Sequence, residues 1–139
     1  MSQIDELRKQ NQSLIKTLVR LGFQLRLGGH HNGAALHREL SEIAQKIDQH
    51  LHEEEAAVYP ALDHSKHDLI RRISRASHRD LEQLDRRVSS FVQRWPNGPS
   101  IDAEHDTFKH EAAQLVDAIR RMLTDEMSNL FPIAEGAHA

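Results

Sequence analysis

The chain has 139 residues, 28% of them charged, a net charge of −3 with histidine neutral, no cysteine and eleven histidines. That length suits one domain with a real core, and the lack of cysteine excludes disulfides, thiolate metal sites and cysteine nucleophiles. Acidic and basic residues are interleaved, which argues against a nucleic-acid footprint. No apolar run nears the roughly 20 residues of a membrane span.

The first predicted helix covers about residues 2–27, with Ile4, Leu7, Leu14, Leu18, Leu21 and Leu25 at helical steps. Asn11 interrupts that stripe, where a buried asparagine can fix register. Gly28-Gly29-His30-His31-Asn32-Gly33 is a turn. The second helix, about residues 34–62, buries Leu36, Leu40, Ile43, Ile47 and Leu51. Its end carries His50-Leu-His-Glu-Glu54-Glu-Ala-Ala-Val-Tyr-Pro60. At ~100° per residue, His50 and Glu54 fall beside the apolar stripe, while His52, Glu53 and Glu55 turn away from it.

The third helix is predicted over about residues 68–94 and weakens near its start to Ser74 and Ser77, with His78 on the flank. Trp95-Pro-Asn-Gly-Pro99 stops it, and Ser100 or Asp102 can cap a fourth helix over about residues 101–131. The fourth stripe is Phe108, Ala112, Leu115, Ile119, Met122, Glu126 and Leu130, again with an acid on the core face. Four long amphipathic helices joined by short turns predict an all-α, up-down-up-down antiparallel four-helix bundle forming a single domain.

Counting from shared turns, Asn11, His50, Glu54, His78, Met122 and Glu126 converge on one cross-section. Two carboxylates in an apolar interior are costly and need compensation. A divalent cation with imidazole ligands would supply it, and His50, Glu54, His78 and Glu126 are the candidate ligands. Protonated histidines, an arginine such as Arg121, or a proton shared between the acids would also serve. A haem between histidine and Met122 fits poorly beside two glutamates. A phosphotransfer role for His78 is opposed by Glu82 one turn on. His30, His31, His37, His105 and His110 gather at the opposite end and are expected to be surface histidines rather than a second site.

The phrase His50-x-x-x-Glu54-Glu55-x-x-Val58-Tyr59-Pro60, with its partial repeat Asp125-Glu126-x-x-Leu130-Phe131-Pro132, resembles the hemerythrin-like, HHE cation-binding family. The resemblance runs over essentially the whole chain. It implies a non-haem iron centre of one or two ions, with Glu54 and Glu126 as bridging carboxylates and His50 and His78 as iron ligands. Asn11 and Met122 stand where the pattern has histidines, and Ser74 where some members have another. A reduced site, mononuclear or holding another divalent metal, is therefore expected.

The resemblance also implies binding or sensing of dioxygen, nitric oxide or iron. The alternative is a metal-free hemerythrin-derived bundle acting as a protein-interaction or regulatory module, with a partner protein or as a homo-oligomer. Nothing in the residues selects turnover. The N-terminal Met1-Ser-Gln-Ile-Asp-Glu-Leu7 has no signal-peptide layout, so a cytoplasmic protein is expected.

Overall fold

The computed structural model describes residues 3–27 and 32–137, and every regular element among them is helical. In chain order these are α1 (Gln3–Leu27), α2 (Gly33–Ala57), α3 (Tyr59–Asp63), α4 (Asp68–Arg94), α5 (Gly98–Ala103), α6 (His105–Asp125), a π-helical turn (Glu126–Leu130) and α7 (Phe131–Ala137). α1 packs on α2 and α6, and α4 packs on α2, α3 and α6. No helix among the described residues is long and apolar enough to cross a membrane.

The predicted second helix is two helices, and proline is the reason. Pro60 has no N–H and its ring would strike the carbonyl of Ala56, so a straight helix cannot pass through it. The chain breaks at Val58, whose N–H still closes on the Glu54 carbonyl at 2.9 Å, and restarts as α3. Pro132 poses the same problem at the other end and receives a different answer. The helix widens, so that the Phe131 N–H reaches the Glu126 carbonyl five residues back, and the axis re-forms as α7.

The fourth predicted helix likewise divides, into α5, α6, the π turn and α7. Its first cap is neither Ser100 nor Asp102. Asn97 takes that place, accepting the Ser100 N–H at 2.8 Å, with Ser100 reaching back in a capping box. Asp102 instead accepts the Gly33 N–H at 2.8 Å and so ties the start of α2 to α5. Backbone meets backbone there: a Cβ on Gly33 would lie 2.3 Å from the Gly98 carbonyl oxygen.

The interior divides into two apolar clusters. The larger runs from Leu14 on α1, through Leu36 to Ile47 on α2, to Phe108 and Leu123 on α6. It closes at the far end on Trp95, whose ring meets Phe108 edge-on at 5.2 Å. The smaller joins Ile4, Leu7, Val58, Tyr59, Leu62, Leu130, Phe131 and Ala134. Between them three stretches of helix skip a step: Leu7 to Leu14 on α1, Ile47 on α2 to Val58 just past its end, and Leu123 to Leu130 after α6. Asn11, His50, Glu54 and Glu126 occupy those gaps, all buried. They form a polar belt between two greasy ends.

Replacing Gly33 with Ala forces a carbonyl aside. A loss of about 1–3 kcal/mol is expected, the usual cost of overpacking. Thermal denaturation of Gly33→Ala checks this, and a melting temperature equal to the parent's would refute the close contact.

Candidate metal centre

His50 and Glu54 share a face of α2 one turn apart, and Glu126 enters from the first residue of the π turn. Their ligand atoms all lie within 4.8 Å of one another. His50 Nε2 is 2.9 Å from Glu126 Oε1 and 3.6 Å from Glu54 Oε2. The Phe131 ring meets the imidazole edge-on at 6.5 Å, and Arg8 lies over that ring while pairing with Glu135 of α7. Helix α7 is thereby held to α1, over the belt.

The other nitrogen of His50 fixes the ring's protonation pattern. Nδ1 sits 2.9 Å from Gln10 Oε1. The amide nitrogen of Gln10 is engaged by Glu53, so its oxygen must face the imidazole, and Nδ1–H donates to it. Nε2 is left pointing at the acids. It makes that contact through a second proton or, where a cation replaces the proton, through its lone pair. Outer partners of this kind orient ligating histidines in metal sites generally.

Asn11 donates to Glu126 Oε1 at 3.2 Å and to the Leu123 carbonyl at 3.4 Å. Tyr59 donates its hydroxyl to Glu54 Oε2 at 3.4 Å. Three buried oxygens, Glu54 Oε1, Glu126 Oε2 and Asn11 Oδ1, meet no N–H or O–H of another residue. The two carboxyl oxygens have only a proton shared between the acids to serve them.

The titration of the pair follows from this. Burial pushes Glu54 well above the ordinary carboxylate range, and the neighbouring Glu126 adds to the rise. Burial also pushes Glu126 upward, but hydrogen bonds from Glu54, His50 and Asn11 outweigh it and hold Glu126 low. Without a cation, Glu54 is the protonated member and Glu126 the ionised one. Burial chiefly, with the neighbouring acids adding to it, raises Tyr59 too, so its hydroxyl stays a donor.

Three of the four sequence candidates are therefore together. His78 is elsewhere, on the half-exposed face of α4, with Nε2 2.9 Å from Glu55 Oε2 and its ring stacked on Tyr59 at 4.3 Å. Met122 is half-buried, because Leu123 takes the inward position expected of it. Met122 lines a groove of about 430 Å³ between α4 and α6 whose lining includes Glu126. Gln10 and Tyr59 escaped the sequence reading. Tyr59 lay inside the motif, but nothing marks Gln10 on the flank of α1.

Of the histidines assigned to the opposite end, His30 and His31 lie outside the described residues. Among the described ones, His37, His105 and His110 join no group spaced for a metal. His110 is exposed, but His105 is buried rather than on the surface as expected, because it starts the inward face of α6 one turn before Phe108.

The donor chemistry fits one divalent cation: an imidazole with a free lone pair, two carboxylates, and buried oxygens short of donors. The profile of the hemerythrin HHE cation binding domain matches residues 2–134. No curated protein and no solved structure gives a significant match. Matched by that profile over residues 2–134, and with a buried His/Glu cluster among them, the chain belongs to the hemerythrin HHE cation-binding domain family.

Proposed function

We propose that the chain is an up-down-up-down antiparallel four-helix bundle that binds non-haem iron, or a similar divalent cation, in its polar belt. Its four staves would be α1, α2 with α3, α4, and α5 through α7. The observation that carries the reading is the convergence of His50, Glu54 and Glu126, with unserved carboxyl oxygens, between two apolar clusters. A divalent charge would cancel the two carboxylate charges that burial otherwise penalises.

His50 Nε2, Glu54 and Glu126 would hold the ion, with Asn11 and Tyr59 holding the carboxylates. His78, the fourth member of the expected set, stands behind the Tyr59 ring. Asn11 and Met122 bring an amide and a thioether where the family pattern has histidines, which favours a mononuclear or otherwise reduced site over a diiron centre. When bound, iron would supply redox chemistry and an open position for dioxygen or nitric oxide. The groove between α4 and α6 offers a small molecule a way to Glu126. Sensing or storage in the cytoplasm, without nucleic acid or membrane as partner, is the role this site fits.

Elemental analysis of protein purified under iron-replete conditions tests the reading, with close to stoichiometric metal expected. Chelation should then lower the melting temperature, since a ligand present at 100 times its Kd adds about 2.7 kcal/mol to the folded state. A trace of metal only, and no effect of chelator, would leave a metal-free module whose acids share a proton.

Gln10→Leu removes the acceptor that orients His50. Cation affinity should fall about 10–100-fold, read by metal titration. An unchanged affinity would remove Gln10 from the site.

The metal-free protein has a pH signature. Glu54 is raised on folding, so its contribution to stability is complete below the ordinary value of 4.5 and is lost as pH rises through the elevated one. Glu126 is lowered, so its contribution is lost only as pH falls below that ordinary range. Stability of the metal-free form should therefore decline on the alkaline side of 4.5, and Glu54→Gln should flatten that decline. Parallel profiles for the two proteins would contradict the shared proton.

A further inference from the structure

On the outer seam between α2 and α4 lies a second group of donors. Glu55 projects from α2, and His78 and Glu82 from successive turns of α4. His78 Nε2 is 2.9 Å from Glu55 Oε2 and 3.5 Å from Glu82 Oε1, and the three ligand atoms lie within 4.8 Å of one another. All three side chains are part-exposed, at 39%, 30% and 43%, so water and ions reach them. The imidazole is nonetheless held: it stacks on the buried Tyr59 ring at 4.3 Å and 15°, which aims Nε2 at the carboxylates.

The acids continue along the seam. Asp48 of α2 and Asp85 of α4 face each other, and burial together with the Asp48 carboxyl raises Asp85 above the usual range. Exposed His52 stands beside Asp48. Among the described residues, the ion pairs of Asp48, Glu55 and Glu82 are with His52 and His78, and no lysine or arginine takes part. Asp48, Glu55, Glu82 and Asp85 thus line one seam, and among the described residues the first three have only imidazoles at ion-pair distance.

We propose that Glu55 Oε2, His78 Nε2 and Glu82 Oε1 form a second cation site, taking a divalent transition-metal ion with water completing its shell. One nitrogen and two oxygens suit zinc or ferrous iron, and a charge of +2 matches the two carboxylates. The site shares no donor with the buried belt and does not depend on it. Tyr59 lies between them, with its hydroxyl on Glu54 and its ring on His78.

Titration of chelator-stripped protein with Zn²⁺ near neutral pH tests this, and Co²⁺ absorption reports on the coordination. In a Glu126→Gln background, which disables the belt, one equivalent should still bind. Adding Glu82→Gln or His78→Ala should weaken that equivalent by at least the ~10-fold that even outer partners of a ligand are worth. Melting temperatures close to the Glu126→Gln parent will show that these part-exposed changes leave the fold intact.

Binding absent from the Glu126→Gln background, or unaffected by Glu82→Gln, would overturn the proposal and leave an ordinary ion-pair trio. Loss with His78→Ala of the same equivalent that Glu126→Gln removes, with Glu82→Gln inert, would overturn it too and return His78 to the belt. Retention of the seam equivalent while the belt binds nothing would support this site and count against the belt reading alone.

Discussion

Two carboxylates buried against each other cannot both be ionised without help. Desolvating an ion costs on the order of several kcal/mol even after a protein relaxes, and like charges add to the cost. Glu54 and Glu126 are in that position, with His50 wedged between them. A proton settles the matter one way and a cation the other. The surrounding groups serve both outcomes: Asn11 and Tyr59 donate to the acids, while Gln10 holds the far side of His50.

Backbone chemistry decides where the two acids stand. Each lies six residues before a proline, and each proline forbids a straight helix through its own position. At Pro60 the helix breaks and restarts; at Pro132 it loosens into a π turn that begins at Glu126 itself. Single π turns occur often at functional sites, where an extra residue re-aims a side chain. Here the turn also swings Phe131 onto the His50 ring, sealing the belt with an aromatic edge.

Tyr59 divides the interior chemistry from the surface chemistry. Its hydroxyl touches a carboxyl group that burial keeps neutral, and its ring supports an imidazole among solvated carboxylates. The same residue types therefore meet opposite conditions a few ångströms apart. Inside, charge must be neutralised for the fold to survive; outside, water bears most of the cost and acids can accumulate along the α2–α4 seam.

The sequence by itself determined the long helices α1, α2, α4 and α6 and the faces they bury, though not the divisions of the second and fourth, because a 3.6-residue period leaves little choice about which side of each helix is apolar. It also marked His50, Glu54 and Glu126, since polar residues on an apolar stripe stand out against that period. Only the tertiary structure decided the rest. A spacing count places His78 at the right height but not at the right angle, and the stacking on Tyr59 together with Glu55 holds its ring outward. Likewise Leu123 rather than Met122 turns inward, a choice periodicity leaves open because steps of three and of four from Ile119 both fit a helix. Gln10 carries no signal of its own, because its role exists only once α1 and α2 pack side by side. Periodicity fixes faces; the exact rotation and pairing of those faces come from packing.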